Sequence, residues 1–275
     1  MWFFRNWRRK RILARHLIAS DIWQQACQQL PILHGLDDTQ SQCLRERASL
    51  FLQQKHLTLI GDLQLSDIDR ARLAALAQLP LLALAEQLDW YQGFHELILY
   101  PQDFVSPQRH RDPSGVEHQW QAEHSGEAWL QGPVILAWPG VRSSGDWDGY
   151  NLVIHELAHK LDMLNGDANG LPPLHRNMRL SDWSSAMQQA YDLINHQLEL
   201  GHPPEIDPYA AENPAEFFAV TSEYFFSAPD ILHRHFAPVY EQLRLFYRQD
   251  PLQRLKQLRQ SSPEYSANPD FDTKD

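Results

Sequence analysis

Two histidines and a glutamate stand close together in the stretch NLVIHELAHKLDMLNG, Asn151 to Gly166. On a helix, residues four apart lie on one face, so His155 and His159 can reach the same metal ion. Glu156 lies one position further round and can hold a water that the metal activates. The neighbouring residues are mostly apolar, which implies a buried helix whose polar side chains need a partner. This pattern predicts two zinc ligands and a general base, with polar residues of an ordinary amphipathic helix as the alternative.

A catalytic zinc ion needs a third protein ligand and an open position for water. The longer motif that supplies this ligand from the same segment has Gly and His where this chain has Asp162 and Asn165, so the ligand must come from elsewhere. Asp162 is placed to accept a hydrogen bond from a ligand histidine or from a neighbouring backbone group. The alternative for Asp162 is an ordinary acid near a helix C-terminus.

The best source of the third ligand is the segment YAAENPAEFFAVTSEYFF, residues 209–226. Asn213 suits a helix N-cap and Pro214 the first helical position, so a helix is expected to begin here. Glu216 and Glu223 are seven residues apart and share a face, and spacing alone does not separate them. Glu216 also has a structural alternative, because Asn-x-x-Glu is a capping box in which the carboxylate returns to the cap.

Two further residues of this segment are weaker candidates. Glu212 precedes the helix and is the weakest of the three acids as a ligand. Tyr209 is a plausible phenol donor to a developing oxyanion. From the sequence alone, a packed loop tyrosine is the better interpretation of Tyr209.

The elements that must position these residues follow from the spacing of apolar residues. The first ninety residues read as helices, with Ser20 and Ser66 expected as helix caps and a helix over about Asp38 to Gln54. Short apolar or alternating segments then predict strands and hairpin turns. These segments are ELILYP (96–101), VEHQWQAEH (116–124) and PVILAW (133–138).

Helices are expected again in the rest of the chain, over the motif, from about Ser181 to Leu200, from Asn213, and over roughly Pro238 to Arg248. The fold class is therefore α+β, with a small mixed sheet, a motif helix and a helical N-terminal subregion. We expect one domain over residues 1–262, with a helical part over about 1–92 and a catalytic part over about 93–262. Residues 263–275 lack a core-forming pattern and are expected to be disordered.

Composition limits the class of protein. Hydrophobic residues make up 43% of the chain, which is typical of a soluble globular protein, and the net charge of −11 argues against direct nucleic-acid binding. Only two cysteines are present, which favours a reducing, cytoplasmic location. The basic N-terminus lacks the apolar run of a signal peptide, and no segment is long enough for a transmembrane helix. That N-terminus is interpreted as a basic amphipathic helix, with membrane-surface or partner docking as the alternative.

Two segments together, VIHELAHKLDMLNG and YAAENPAEFFAVTSEYFFSAP, resemble the Mlc titration factor A family of bacterial zinc metallopeptidases. A more distant resemblance is to the catalytic domain of anthrax lethal factor. The similarity includes LILYP, GEAWLQGPVILAW and FYRQDP, and so extends over about residues 23–251. Lys160 is a charge where the broader zincin pattern has an uncharged residue, and it resembles the family's own usage.

The resemblance implies a zincin-like fold of the Glu-zincin type and a single Zn²⁺ ion held by His155, His159 and Glu216. It implies Glu156 as general base and Tyr209 as transition-state donor. It implies that Glu223 supports a ligand histidine without binding the ion itself, and we expect the same supporting role of Asp162.

The implied function is a cytoplasmic, aminopeptidase-like zinc metallopeptidase. It would also bind and titrate the glucose repressor Mlc and so modulate expression of the glucose phosphotransferase system. The alternative is a non-catalytic protein that sequesters the repressor and has a vestigial or regulatory zinc site. The strand PVILAW is our candidate for aligning a peptide substrate. The segment PGVRSSGDWDGY (139–150) is interpreted as a lid or as a flexible solvent loop.

Overall fold

Residues 2–84, 90–111, 117–124, 126–128, 132–261 and 265 are described by the computed structural model of the chain. Side chains are described for residues 6–84, 90–103, 132–261 and 265. Within these residues, no helix combines the length and the hydrophobicity needed to cross a bilayer. The predicted disordered tail lies outside the described residues, apart from Tyr265, whose hydroxyl is hydrogen-bonded to His34 Nδ1.

Four α-helices occupy the N-terminal part, as the apolar spacing predicts. They are α1 (Trp2–His16), α2 (Ser20–Gln28), α3 (Asp38–Gln54) and α4 (Asp67–Gln78). Ser66 is confirmed as the N-cap of α4 and forms a capping box with Asp69. Ser20 does not cap α2. It is the first residue of that helix, because the Trp23 amide bonds to the Ala19 carbonyl at 2.9 Å and the helix begins one residue earlier.

The sheet has four strands in the order β1-β2-β6-β5. These strands are β1 (His56–Leu59), β2 (Glu96–Tyr100), β6 (Val134–Ala137) and β5 (Gly126–Ala128). The pairs β1–β2 and β2–β6 are parallel, and β5 is antiparallel to β6, so the predicted small mixed sheet is confirmed. A separate antiparallel hairpin consists of β3 (Phe104–Arg111) and β4 (Glu117–His124).

Two expectations for the sheet were wrong. The first ninety residues are not wholly helical, because β1 lies between α3 and α4 and pairs with β2, which is forty residues away. Four residues are too few to show a period of two, so the strand is apparent only from its partner. The strand of PVILAW, β6, lies between β2 and β5 and has no free edge for a peptide. The outer strand beside it is β5.

Helices return after the sheet. They are α5 (Trp138–Ser143), α6 (Leu152–Asp162), α7 (Leu180–Glu199), α8 (Pro214–Ser227), α9 (Pro229–His235), α10 (Ala237–Tyr247) and α11 (Pro251–Ser261). The predicted helices over the motif, over 181–200, from Asn213 and over 238–248 are confirmed to within two residues. Helices α6 and α8 pack directly against each other.

The segment before the motif helix is not a flexible solvent loop. Its first part forms α5, and the turn that follows packs into the core, where Ser144 is 2% exposed. A Cβ atom on Gly145 would lie 2.4 Å from Leu30 Cδ2, so that glycine allows close packing against the N-terminal helices. The Gly145 carbonyl accepts a hydrogen bond from the Ile32 amide at 3.1 Å. These contacts hold the segment against the N-terminal part of the protein and argue against a loosely held lid.

Candidate metal centre

The motif helix α6 is buried along its whole length, from Leu152 to Asp162. Asn151 is its N-cap and accepts a hydrogen bond from the Ile154 amide at 3.1 Å. Ser144 Oγ accepts from the Leu152 amide at 3.0 Å, which satisfies a second free donor of the first turn. The start of α6, and with it the position of His155 and Glu156, is therefore set by side chains that cap the first backbone amides. The asparagine ahead of an apolar run is a cap signal that our sequence interpretation left unused.

The facing helix α8 is capped by Asn213, whose Oδ1 accepts from the amides of Ala215 at 2.9 Å and Glu216 at 3.0 Å. The cap prediction is confirmed. The Glu216 carboxylate contacts the α6 histidines instead of forming a capping box with Asn213. The first turn of α8 thus carries this carboxylate toward the neighbouring helix.

Three ligand atoms converge between α6 and α8. Glu216 Oε2 lies 3.1 Å from His155 Nε2 and 3.3 Å from His159 Nε2. The two imidazole rings are 5.1 Å apart at their centroids and nearly perpendicular, at 78°. One atom from each residue lies within 4.8 Å of the other two, and this is the one such group of His, Cys, Asp and Glu found among the described residues.

The donor set fits a metal ion. Ligands of a tetrahedral zinc ion, at bond lengths of about 2.0–2.2 Å, lie about 3.3 Å from one another. The two nitrogen–oxygen separations of 3.1 and 3.3 Å match that spacing. Three protein ligands is also the number that a catalytic zinc ion uses, because its fourth position takes water or substrate.

Glu223 lies two turns further along α8 and has a different neighbour. Its Oε2 is 3.2 Å from His155 Nδ1, and its Oε1 accepts a hydrogen bond from the Asn151 amide. A carboxylate on the far nitrogen of a ligand histidine selects the tautomer that leaves the other nitrogen free for a metal. Glu216 therefore contacts the Nε2 atoms of both histidines, whereas Glu223 contacts the opposite ring nitrogen of His155.

Asp162 is fully buried at the end of α6. Its Oδ2 accepts a hydrogen bond from the Gly170 amide at 2.7 Å, so of its two predicted partners the structure shows the backbone group. Burial raises the pKa of Asp162, while the Gly170 amide and the nearby His159 act in the opposite direction. Asp162 ties the loop after α6 to the base of the motif helix.

The electrostatics of the cluster follow from its burial and its charges. Burial alone would lower the pKa of His155, but hydrogen bonds to Glu216 and Glu223 hold it well above its ordinary value. Burial alone would raise the pKa of Glu216, but the two histidines hold it below its usual range. Without a metal, protonated His155 thus compensates the charge of the buried carboxylate.

Tyr209 contacts His155, and Glu156 interacts electrostatically with both of these residues. Glu156 is 4% exposed, and its charge contributes to raising the pKa values of both His155 and Tyr209. Tyr209 lies in a short 3₁₀ helix, Pro208–Ala211, and its ring stacks on His155 at a centroid distance of 6.1 Å. Burial of the hydroxyl and the Glu216 carboxylate raise the pKa of Tyr209, which therefore keeps its proton at neutral pH. The residue as a whole is 44% exposed, so Tyr209 lies between the buried cluster and solvent.

Two other predicted residues lie elsewhere. Glu212 is exposed and outside the three-residue group. Lys160 is buried, and its Nζ donates to the Gly132 carbonyl at 3.0 Å, in the connection between β5 and β6. Burial lowers the pKa of Lys160 to about 8. Lys160 thus holds the connection between β5 and β6 against the motif helix.

Most of the chain is similar in sequence to known proteins. The Glucose-regulated metallo-peptidase M90 family matches residues 4–248. The Mlc titration factor A proteins of Yersinia pestis (strain Pestoides F) and Yersinia pseudotuberculosis serotype O:1b (strain IP 31758) are each 43% identical over 238 residues. That match covers 85% of this chain and 86% of each relative. Membership of this family implies a metal cofactor, and the chain belongs to the glucose-regulated metallopeptidase M90 family.

Proposed function

We propose that the protein is a cytoplasmic zinc peptidase of the Glu-zincin type, with aminopeptidase-like activity. His155, His159 and Glu216 hold the ion. The observation that carries this proposal is the meeting of three ligand atoms between α6 and α8, all within 4.8 Å of one another. Family membership supports peptidase chemistry at this cluster.

When bound, the metal supplies a Lewis acid that lowers the pKa of a water toward about 7 and polarises the scissile carbonyl. Glu156 takes the proton of the attacking water and passes it to the leaving amine. Tyr209 donates a hydrogen bond from its hydroxyl to the oxygen that becomes negative in the transition state. Its raised pKa supports this role, because only the protonated phenol can donate.

The other residues of the site hold these groups in place. Glu223 orients the His155 ring through Nδ1. Asp162 fixes the loop at Gly170. Since β6 has a strand on each side, we assign the alignment of substrate backbone to β5, the outer strand of the sheet next to α6.

The test is Glu156→Gln, assayed with model aminoacyl and peptide substrates and by metal analysis. Glutamine keeps the size of the side chain and cannot accept the proton, so we expect normal metal content and a loss of turnover of at least about 10²-fold. Glu212→Gln is the matched control, because this glutamate is exposed and lies before α8. Turnover by Glu156→Gln near the wild-type rate would refute the mechanism.

A second function is favoured by the name of the relatives, Mlc titration factor A. We propose that this chain also binds an Mlc-type repressor and so modulates the genes of the glucose phosphotransferase system. The alternative is that binding is the whole function and the metal site is vestigial or regulatory. Glu156→Gln separates the two: if it binds purified Mlc with wild-type affinity and relieves repression of a reporter gene, titration does not require catalysis.

A further inference from the structure

Positive charge is concentrated in α1. Six of the chain's 24 Lys and Arg residues lie in this helix, which contains no acid. The other 18 share the rest of the chain with all 35 Asp and Glu residues. None of the residues assigned to the metal centre lies in α1, so that site does not explain its charge.

The inner face of α1 is attached to the body of the protein through α3. Ile12 is half-buried, and the Arg9 guanidinium lies 3.2 Å from a Glu46 carboxylate oxygen. Just after the helix, the Arg45 guanidinium donates twice to the Ile18 carbonyl, at 2.8 and 2.6 Å. These contacts fix which face of α1 is turned outward.

The outward face of α1 combines several cationic side chains with the exposed indole of Trp7. Beyond residue 5, the exposed side chains of α1 are Trp7, Arg8, Lys10, Arg11, Ala14, Arg15 and His16. Trp7 is 60% exposed, more than any other exposed large hydrophobic residue in the part of the chain with described side chains. The Arg11 guanidinium lies 5.3 Å from the centre of its ring. Three more aromatic residues, Trp2, Phe3 and Phe4, belong to the first turn of the same helix.

We propose that this face of α1 binds the surface of a membrane rich in anionic phospholipid. Such a surface places phosphates beside an apolar layer, and tryptophan is enriched at that boundary while Lys and Arg bind the headgroups. Nucleic acid offers phosphates without an adjoining apolar layer. At physiological ionic strength charges are screened over about 8 Å, less than a helix diameter of about 10 Å, so the acidic body behind α1 repels the membrane only weakly.

The binding expected from one short helix is weak, reversible and sensitive to salt. Each exposed cation near an anionic surface raises partitioning about fivefold. The four exposed cations Arg8, Lys10, Arg11 and Arg15 together therefore contribute several hundredfold. The indole adds a contribution that salt does not screen.

The test is co-sedimentation of the full chain with vesicles of phosphatidylglycerol and phosphatidylcholine, with pure phosphatidylcholine vesicles for comparison. We expect binding to the anionic vesicles alone, and its loss in 0.5 M salt. Combined replacement of Arg8, Lys10, Arg11 and Arg15 by Gln should reduce partitioning at least about a hundredfold. Trp7→Ala, which removes no charge, should weaken binding and leave the slope of its salt dependence unchanged.

A charge-matched control uses four exposed cations outside α1. Replacing Arg142, Arg179, Arg248 and Lys256 by Gln changes the net charge equally and should leave vesicle binding intact. Equal loss in the control and α1 variants would overturn the proposal, because net charge would then explain the binding. Failure of the wild type to sediment with anionic vesicles at low salt would also overturn it, and α1-dependent binding to an acidic protein would then identify a different partner.

Discussion

Glu223 contacts the proposed zinc ligand His155, and under the proposed function it would act on the metal through that ring. Its carboxylate contacts His155 Nδ1 at 3.2 Å and also accepts from the Asn151 amide, so it links the ring to the start of α6. Partners of this kind typically change metal affinity 10- to 100-fold when they are replaced. Glu223→Gln should therefore weaken zinc binding by about that factor without abolishing it, as measured by competition with a chromogenic chelator. Glu212→Gln should show no change; complete loss of metal from Glu223→Gln would mean that Glu223 is a direct ligand.

The pH dependence of the metal-free protein reports on the same residues. Glu216 has a lowered pKa, so its stabilising effect is present above its ordinary value of 4.5 and is lost as pH falls below it. His155 has a raised pKa, so its stabilising effect is present below 6.5 and is lost as pH rises through the raised value. The stability difference between wild type and Glu216→Gln should therefore be largest at about pH 5–6.

Thermal melts in chelator between pH 4 and 9 measure this difference. The control is the same pair of proteins with saturating zinc, where metal coordination replaces the charge of the His155 imidazolium and the alkaline loss should disappear. A difference that instead keeps growing from pH 6 to pH 9 in chelator would show that the Glu216–histidine contacts are not ionic.

Spacing predicted which acids share a face of α8, but not how far along the helix each one acts. Seven residues correspond to about 10 Å of helix, so Glu216 and Glu223 face α6 at different heights. Which glutamate reaches His155 Nε2 and which reaches Nδ1 depends on how α6 and α8 pack against each other. That placement is set by packing between distant segments, so residue types alone leave it open. The role of Tyr209 was equally hard to predict from residue types, because its contact with His155 depends on the position of the 3₁₀ helix before α8.

The loop after α6 connects the two helices of the site through Gly170. Its amide donates to Asp162, its carbonyl accepts from Trp183 Nε1 at 3.1 Å, and its φ is +78°. A Cβ atom here would lie 2.5 Å from the carbonyl oxygen of Pro214, the first residue of α8. Any larger residue must therefore displace the turn that carries Glu216.

Gly170→Ala should for this reason destabilise the protein and weaken metal binding together. The control is Gly201→Ala, which has a similar φ of +73° but nothing within 4 Å of the added Cβ. We expect the control to lose about 1–2 kcal/mol from backbone strain alone, and Gly170→Ala to lose at least about twice as much. Urea unfolding and chelator competition measure the two effects. Equal losses in both variants would show that the contact with Pro214 has no energetic weight.

Most helices with repeated apolar residues were predictable, as were the strands β2, β4 and β6, but several other elements were not. Helix α3 has the expected bounds, and α7 agrees to within a residue. Strand β1 and helices α5, α9 and α11 were not predicted. Their lengths range from four to eleven residues, and they are defined by neighbours that are distant in sequence or by proline at their first turns. The choice of PVILAW as the strand that aligns the substrate also failed, because strand order depends on pairing and not on local pattern.

At the scale of the whole molecule, the candidate metal centre lies between α6 and α8, and the cationic helix α1 forms a separate feature. The family match covers residues 4–248, so both features lie almost entirely within the part shared with the family. Composition correctly indicated a folded chain with a large core, since residues from Trp23 to Leu252 contribute to one hydrophobic cluster. What composition could not indicate is which charges converge, because that depends on the packing of α8 against α6.

The most direct test of the central claim is the metal content of the purified full chain. Inductively coupled plasma mass spectrometry should find about one zinc ion per wild-type chain and per Glu212→Ala chain, and nearly none in Glu216→Ala. Circular dichroism should show that Glu216→Ala is folded, since this side chain is not part of the apolar core. Wild-type zinc content in folded Glu216→Ala would contradict the assignment of His155, His159 and Glu216 as the metal site.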